Sequence, residues 1–508
     1  MKVLLITFPS YNPGGASGSE DTKFNLSLPI LKKFAEQTPL IKSECDIDYM
    51  VLPHDTDEEI LMETIYRKSP DVLGFSVFVW NLMKSLNIAQ KTKCVLPHVN
   101  ILFGGPEADD AERILSQNPV VDTIINGDGE RAFTDFLLNR LTGSPDLRTI
   151  QGLSFRNGNE LIINSHRNEI DDLDSIPSVF DEDLCFDSPV VYYETARGCR
   201  CGCIYCREGA PKKRTYSIER IKRDLKFILS KPLIKTLNFI DTVLDDDLDR
   251  LKEILGIIAE YNVHGISCGG YFYFSNADDE LFDLLLKANF KFARTGVESN
   301  NSDILTVIGR GKNNVSRIDA AIPYKNRISL TPYIITFLPD DTLASFRETL
   351  RSCFGRGYFF LDFHCTRLRI YPGTKLYETA ANYGYVFDHD PPHFVYSNKT
   401  FSYNDFVEVR KLVANIVVLC SIFGENDSKE LNKLGFNLFE TAENIHLAMP
   451  HWEKCLRRMS EDVITEVCFS ENAFEILENY VKQTVKNESA SAKIITVLGK
   501  KRKKRGGI

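Results

Sequence analysis

The chain has 508 residues, 43% of them hydrophobic, and a formal net charge of −9. This length suffices for two or three domains with sizeable cores, and the acidic balance argues against a broad nucleic-acid-binding surface. The thirteen cysteines stand mostly singly, which indicates a reducing compartment rather than a disulfide framework. Neither a signal peptide nor a membrane span is predicted, so we expect a cytoplasmic protein.

Residues 1–145 predict a doubly wound, Rossmann-like α/β domain. Strand-like runs alternate with helical stretches, and this alternation produces a parallel sheet. The strand-like runs are 2–8, 46–52, 71–78, 99–103 and 121–125. Glycine-containing turns at 13–18, 104–105 and 127–129 follow the first, fourth and fifth strands. Because such sheets bind ligands at the carboxyl ends of their strands, and glycine permits close approach to the backbone, these turns predict a bound cofactor.

The rest of the chain divides into four further segments. Residues 146–189, rich in Asp, Ser and Pro, predict a linker. Residues 190–390 resume the βα pattern with six strand-like runs, and residues 391–499 predict a helical domain that serves as a lid, a substrate-docking surface or a structural cap. The six strand-like runs are 190–194, 236–240, 265–273, 292–297, 330–337 and 362–370. The basic residues of 500–508 are able to bind nucleic acid or anionic lipid, but we interpret them as a solvated, disordered tail.

A cluster of cysteines follows the first strand of the second βα region. Cys199, Cys203 and Cys206 form a C-x3-C-x2-C motif, which can hold three irons of a [4Fe-4S] cube and leave the fourth iron open. A structural zinc site is the alternative, but zinc prefers four ligands in two close pairs. The histidine pairs at 389/393 and 446/451 lie too far along the chain to complete such a site. Cys201 is a possible fourth thiolate, although alternate residues of a tight loop converge poorly on one cube, so we interpret it as a non-ligand.

At these cysteines the chain resembles the radical S-adenosylmethionine (SAM) superfamily, in which an aromatic residue usually precedes the last cysteine. The resemblance implies a partial (β/α)6 barrel with its chemistry at the carboxyl ends of the strands. It also implies an open iron that chelates SAM, and cleavage of SAM by one electron to methionine and a 5′-deoxyadenosyl radical. The implied SAM contacts are Tyr205, Asp241, Glu298, Ser299, Arg367 and Arg369. The alternative is structural: the acids cap helices and the arginines form ion pairs within the barrel.

The first domain resembles the cobalamin-binding domain that precedes the radical domain in one SAM subgroup. The resemblance lies in Gly74-Phe-Ser-Val-Phe-Val-Trp-Asn81, Gly104-Gly-Pro-Glu107 and Gly127-Asp-Gly-Glu130. It implies that a corrin lies across the glycine-rich rim. The implied corrin contacts are Ser76, Trp80, Gly104, Gly105, Gly127, Gly129 and Glu130. The D-x-H-x-x-G motif that supplies a cobalt-ligating histidine elsewhere is absent, which leaves open a degenerate domain that binds nothing.

The two resemblances together imply radical methylation of an unactivated carbon, with an external electron donor of the flavodoxin or ferredoxin type. The protein would position the reactants and exclude water. Radical rearrangement or cyclisation, with cobalamin absent or only redox-active, is an open alternative. A non-catalytic scaffold or RNA-binding protein is another, although the intact cysteine motif argues against it. Peptide and small-molecule substrates are equally compatible with the sequence.

Overall fold

The structure is a computed structural model that describes residues 1–9, 24–164, 169–181, 188–208, 212–311, 315–444 and 473–505. The glycine turn predicted at 13–18 and the histidine pair at 446/451 lie outside the described residues. None of the helices in these described segments is long and apolar enough to cross a bilayer.

The N-terminal domain is built on a seven-stranded sheet with the order β2-β1-β3-β4-β5-β6-β7. Its strands are β1 (Lys2–Thr7), β2 (Asp46–Val51), β3 (Val72–Ser76), β4 (Asn100–Gly104), β5 (Thr123–Ile125), β6 (Leu153–Asn157) and β7 (Glu160–Ile163). The first five are parallel, which confirms the doubly wound prediction. The last two are antiparallel and correct the linker prediction, because part of 146–189 extends the sheet as a hairpin.

Helices cover both faces of this sheet. They are α1 (Ser27–Ala35), α2 (Pro39–Glu44), α3 (Glu58–Lys68), α4 (Leu82–Val95), α5 (Ala111–Gln117) and α6 (Gly129–Thr142). Alternate residues of β1 face opposite ways, so that Leu5 packs in the core with Leu28 and Phe133, on the side of α1 and α6. Leu4 packs in the core of the other face, on the side of α3 and α4. A strand buried on both faces explains why β1 is a continuous apolar run.

The second domain contains a six-stranded sheet in which each strand pairs in parallel with the next along the chain. A small hairpin of β9 (Ala196–Arg197) and β10 (Arg214–Thr215) interrupts the strand numbering. The sheet strands are β8 (Val190–Tyr193), β11 (Thr236–Phe239), β12 (Ser267–Tyr271), β13 (Phe290–Glu298), β14 (Ser329–Thr336) and β15 (His364–Arg367). This consecutive parallel order confirms the partial (β/α)6 barrel, and it brings the carboxyl ends of the six strands to one rim.

Helices follow the barrel strands and continue beyond them. The barrel helices are α7 (Ile218–Leu229), α8 (Leu248–Tyr261), α9 (Asp279–Lys287), α10 (Ser302–Val307), α11 (Leu343–Gly355) and α12 (Lys375–Thr379). A short hairpin of β16 (Val386–Phe387) and β17 (Val395–Ser397) comes next. The C-terminal helices are α13 (Tyr403–Lys433), α14 (Leu438–Asn444), α15 (Ala473–Thr484) and α16 (Glu488–Arg505). Helix α13 is kinked at Gly424, where the backbone leaves the helical conformation.

The C-terminal helices share their core with the barrel. Buried residues of α13, including Val413 and Ile416, belong to the same continuous apolar cluster as Leu350 of α11. The basic run also departs from its prediction, since residues 500–505 end helix α16 instead of forming a disordered tail. Lys501 explains this locally, because its ammonium pairs with Asp427 at 2.6 Å. The helical region is therefore packed onto the barrel along its length in the described residues.

Candidate functional site

A cavity of about 450 Å³ lies between the rim of the N-terminal sheet and the start of the barrel. Six of the seven predicted corrin contacts line it, which are Ser76, Gly104, Gly105, Gly127, Gly129 and Glu130. The barrel contributes residues that flank the cysteine motif, including Gly198 and Arg207. We call residues 194–208 the cysteine loop. The cavity thus joins the glycine-rich rim to the cysteine loop.

The rim of the N-terminal sheet combines a tight glycine turn with a buried acid whose second oxygen is unsatisfied. Gly105 has a φ of +98°, and a Cβ atom there would lie 2.8 Å from the carbonyl oxygen of Val77, so only glycine fits this turn. Glu130 is buried, and its Oε2 has no hydrogen-bond partner among the described residues. An unsatisfied buried acceptor favours a ligand with N–H donors, and the amide groups around a corrin supply such donors. These residues therefore fit cobalamin.

Trp80 is the one predicted corrin contact that the structure does not bring into this cavity. Its ring stacks on Phe78 at a centroid distance of 4.6 Å, and its indole N–H donates to the carbonyl of Phe8 at 3.0 Å. The side chain remains 42% exposed. These contacts give Trp80 a packing role at the edge of the rim.

Arg197, at the start of the cysteine loop, ties the two domains together beside the cavity. Its guanidinium contacts Asp128 at 3.3 Å and Glu130 at 2.8 Å in the N-terminal domain, and Glu194 at 2.9 Å on its own side. Burial raises the pKa of Glu194, and the positive charge of Arg197 opposes this effect. Arg214 of β10 also pairs with Asp128. The cavity edge is therefore a buried network of acids and arginines that spans both domains.

Glu107 forms a second connection between the domains. It is 1% exposed and contacts Arg207 at 2.7 Å and Nε2 of His393 at 3.0 Å. Arg207 follows the last cysteine of the motif and stacks over the ring of Tyr371 at 4.2 Å. Burial alone would raise the pKa of Glu107, but His393 and Arg207 together lower it. Glu107 therefore holds the carboxyl end of the cysteine loop against the N-terminal domain.

The cysteine motif supplies a thiol donor set that suits a cluster. Cys199 and Cys203 are buried and Cys206 is half-buried. Among the described residues no group of three or more His, Cys, Asp or Glu side chains converges on one metal ion, whereas a cube distributes its ligands over separate irons. Burial raises the pKa of Cys203 to about 11, so loading iron must release its proton. The three thiols fit a [4Fe-4S] cluster and fit a single zinc ion poorly.

Arg310 is a residue of this site that the sequence analysis missed. Its guanidinium pairs with Glu298 at 2.5 Å and lies 3.8 Å from Sγ of Cys201. Glu298 ends β13 with a positive φ of 64°, and it raises the pKa of Tyr205 further above its ordinary value, in addition to the effect of burial. The flanking glycines at 309 and 311 were a weak turn signal, but nothing in the sequence linked Arg310 to a cysteine more than 100 residues away.

Other predicted SAM contacts are engaged by the protein itself. Asp241 is buried and accepts the backbone N–H of Thr195 at 3.0 Å, so it supports the start of the cysteine loop. Burial raises the pKa of Asp241, and the bonds from Thr195 oppose this effect. Ser299 is buried beside Thr349 at 3.4 Å. Whether Tyr205, Asp241, Glu298 and Ser299 contact SAM stays a prediction.

The two arginines predicted to clamp the SAM carboxylate face the C-terminal part of the chain. Arg367 donates from Nε to the carbonyl of Val395 at 2.7 Å and lies over the ring of Tyr396 at 4.3 Å. Arg369 lies over Phe394 at 4.8 Å. Side chains alternate between the two faces of β15, so Arg367 lies on the same face as the buried Cys365, and this explains the direction of its side chain. The structure does not bring Arg367 together with the cysteine loop in the described contacts.

Comparison with known proteins agrees with this division of the chain. The family model described as "B12 binding domain" matches residues 30–137, and that described as "Radical SAM superfamily" matches residues 193–353. The first match covers the glycine-rich rim, and the second covers the cysteine motif and four of the six barrel strands in full.

Two curated relatives share sequence similarity with the chain. The cobalamin-dependent radical SAM methyltransferase TokK of Streptomyces tokunonensis is 26% identical over 358 residues, which are 65% of this chain and 51% of TokK. The 2-(S-pantetheinyl)-carbapenam-3-carboxylate methyltransferase of Streptantibioticus cattleyicolor is 25% identical over 352 residues, again 65% of this chain and 51% of the relative. The chain therefore spans about half the length of the curated relatives it matches.

A solved structure shares the fold. The cobalamin-dependent SAM radical enzyme OxsB, with aqua-cobalamin and SAM bound, superposes with a TM-score of 0.61 at 14% identity, covering 99% of this chain and 83% of OxsB. At this identity the likeness shows the fold alone, but it extends over both domains and the C-terminal helices. With both family models matched to their expected segments, the chain belongs to the radical SAM proteins that carry an N-terminal B12-binding domain.

Proposed function

We propose that the chain is a cobalamin-dependent radical SAM methyltransferase that methylates an unactivated carbon of a small organic substrate. One observation carries the proposal: a single cavity is lined both by the glycine-rich rim of the B12-binding domain and by the cysteine loop. A corrin on that rim would face the cluster across the cavity. Two relatives are named as methyltransferases, and the named substrate of one is a small carboxylate, which supports methyl transfer and a small substrate.

The chain's own residues bind, orient and shield the reactants. When bound, the cluster and SAM supply the substrate radical, and cobalamin supplies the methyl group. Cys199, Cys203 and Cys206 would hold the cluster, while Glu130 would accept a hydrogen bond from a corrin amide. Arg197 fixes Glu130 and the cysteine loop in one network. That network fixes the glycine-rich rim against the cysteine loop, so groups bound at the two places would keep a constant separation, as a reaction between two bound groups requires.

Loading with cofactors tests the proposal directly. The protein is purified without oxygen, supplied with iron, sulfide and hydroxocobalamin, and its iron and cobalt are counted. About four irons and one cobalt per chain are expected. Incubation with a low-potential chemical reductant such as titanium(III) citrate, which brings cobalamin to the Co(I) state, and with SAM carrying a deuterated methyl group should then transfer label to the bound cobalamin. Four irons without cobalt, or cobalt that never acquires the label, would contradict methyl transfer and favour radical rearrangement or cyclisation.

The substitution Gly104→Val is expected to block cobalamin while leaving the cluster in place. Gly104 ends β4 on the cavity wall, and the nearest atom to an added Cβ is 3.7 Å away, so the branched side chain enters the cavity without backbone strain. Overfilling a packed site costs about 1–3 kcal/mol, equivalent to about a ten- to hundredfold weaker cobalamin affinity. Cobalt and iron counts on the reconstituted variant measure this.

The matched control for Gly104→Val is Gly256→Ala, in helix α8, where an added Cβ meets nothing within 4 Å. This control should load both metals as the unaltered protein does. Normal cobalt loading of Gly104→Val would show that the corrin lies elsewhere.

A further inference from the structure

The concave face of the barrel sheet carries a row of polar and aromatic side chains that the proposed chemistry does not use. Each of the six strands contributes one residue, and the strand registers place them in three facing pairs, each displaced by two residues from the next: Tyr192 with Asn238, Tyr271 with Arg294, and Tyr333 with His364. Their sequence neighbours, such as Leu237 and Ile334, are 0% exposed on the other face, as strand alternation requires. The row, which we call the lumen layer, comprises Tyr192, Asn238, Tyr271, Arg294, Tyr333 and His364.

The lumen layer borders an open space. Tyr271 lies on the third of six strands, in the middle of the sheet, yet its side chain is 43% exposed. The other five residues of the lumen layer are half-buried, so the concave face is not filled by other side chains. Phe292 lies on the neighbouring strand β13, and its ring occupies the position that an added Cβ atom on Gly269 of β12 would take. The barrel therefore retains an accessible lumen lined by aromatic rings.

Arg294 gives this lumen a positive charge without a bonded acid. Its guanidinium lies 5.5 Å from the ring centre of Tyr271 and 5.1 Å from that of Phe292. Within the described part of the chain no carboxylate forms an ion pair with it. Asp362 interacts with Arg294 electrostatically, but its carboxylate is already bonded to His364 at 3.2 Å and to Thr331 at 3.0 Å. The guanidinium also hydrogen-bonds the hydroxyl of Tyr333, and a partly buried cation without a bonded carboxylate favours an anionic ligand.

Two further polar atoms of the lumen layer have unsatisfied hydrogen-bonding capacity in the described part of the chain. Oδ1 of Asn238 and Nδ1 of His364 are buried and have no hydrogen-bond partner among the described residues. These residues lie on β11 and β15, on opposite sides of Arg294. Unsatisfied buried polar atoms are uncommon in folded proteins and indicate a missing ligand or water. The lumen layer thus offers one cation, flanking aromatic rings and unfilled hydrogen-bonding positions.

We propose that the lumen layer binds the substrate of this protein and that Arg294 grips a carboxylate of that substrate. The inference rests on the proposed function and adds the class of substrate, an organic acid with a flat or apolar body. One planar guanidinium matches a carboxylate in shape and in charge, whereas a phosphate dianion would call for a second cation. The aromatic rings of Tyr271, Phe292 and Tyr333 suit the body of such an acid.

The position of Arg294 along its strand connects this site to the cysteine loop. Arg294, Gly296 and Glu298 lie in that order on β13, and Glu298 pairs with Arg310 beside Cys201. A Cβ on Gly296 would lie 2.1 Å from Oε1 of Glu298 and 2.5 Å from a guanidinium nitrogen of Arg310, so glycine makes room for this ion pair between the two levels. Four residues of strand separate the Cα atoms of Arg294 and Glu298 by about 13 Å. An acid held at Arg294 would therefore meet the Glu298–Arg310 ion pair on the side that faces the cysteine loop.

Equilibrium dialysis of a matched acid and amide tests the assignment. The reconstituted protein, with SAM present to fill its own carboxylate site, is dialysed against radiolabelled phenylacetate or radiolabelled phenylacetamide. Charge-assisted hydrogen bonds predict that the acid binds about ten- to hundredfold more tightly than the amide. Arg294→Gln should abolish this preference, so that the acid and the amide bind about equally. Arg294→Lys should show a preference between those of Arg294→Gln and the unaltered protein, because lysine lacks the two-pronged donor. Phenyl phosphate, added as a competitor, should displace the acid less well than unlabelled phenylacetate.

The control variant is Arg351→Gln, on the outer helix α11, where the side chain is 52% exposed, and it should keep the full preference for the acid. Equal binding of acid and amide, no binding of the acid, a preference that survives Arg294→Gln, or stronger competition by phenyl phosphate would each overturn the inference. Metal loading separates the two proposals. If the protein loads iron and cobalt normally but shows no Arg294-dependent preference for the acid, only the lumen site is refuted. If it shows that preference but binds no cobalt, only the proposed function is refuted.

Discussion

Replacing Cys203 with alanine is expected to remove the cluster and abolish SAM cleavage. Cys203 is buried in the cysteine loop, and a cube with one open iron already has the minimum of three thiolate ligands. Losing one ligand leaves a buried iron without a protein donor, so the iron content should fall from about four per chain to near zero. Iron counts, the visible spectrum and formation of 5′-deoxyadenosine from SAM measure the effect.

Cys201→Ala is the matched control for this substitution, because it removes a thiol from the same loop. Cys201 lies beside Arg310, and its backbone N–H donates to Sγ of Cys199 at 3.4 Å, a bond that alanine keeps. We expect this variant to retain the full iron count. If Cys201→Ala lost the cluster while Cys203→Ala kept it, the assignment of ligands would be reversed.

The parts of this site that the sequence predicted are those encoded by neighbouring residues. The cysteine spacing and the glycines at 104–105 and 127–129 are local patterns, and the alternation of strands and helices places both at carboxyl rims. The contacts of Arg310 and Arg294 depend instead on how distant segments pack, so no local pattern reveals them. Arg367 shows the converse. Its position on the sixth barrel strand suggested a carboxylate clamp, but strand alternation directs it to the aromatic residues of the C-terminal segment.

The differences between the predicted and the observed fold also have local causes. The composition of 146–189, rich in Asp, Ser and Pro, predicts a linker, yet the short alternating runs within 153–163 pair as a hairpin at the sheet edge. The basic run at 500–505 has the composition of a solvated tail, but Lys and Arg are good helix formers, and Leu498 just before the run is buried. The helix therefore continues into the lysines. In both places burial of a few apolar residues overrides the composition of the segment.

The substitution Glu107→Ala is expected to cost about 3–5 kcal/mol of stability, because it leaves the buried Arg207 without its counter-charge. Arg207 is adjacent to Cys206, so the cysteine loop should loosen and iron should be lost faster from the variant. Glu107→Gln keeps the shape of the side chain and removes only the charge, and should show an intermediate loss. Urea titration followed by circular dichroism, with iron retention measured in parallel, checks both effects. Glu112→Ala, an exposed acid on the nearby helix α5, should change little.

The effect of Glu107→Gln on stability should depend on pH, and a packing defect alone would not produce this dependence. The pKa of Glu107 in the folded protein lies below its ordinary value of 4.5, so the charged form is the one that folding stabilises. Its contribution should be fully present above pH 4.5 and should disappear as the pH falls through the lower folded value. The stability difference between the unaltered protein and Glu107→Gln should therefore be constant near neutral pH and shrink in acid. A difference that persisted unchanged into acid would show that the charge of Glu107 does not join the B12-binding domain to the cysteine loop.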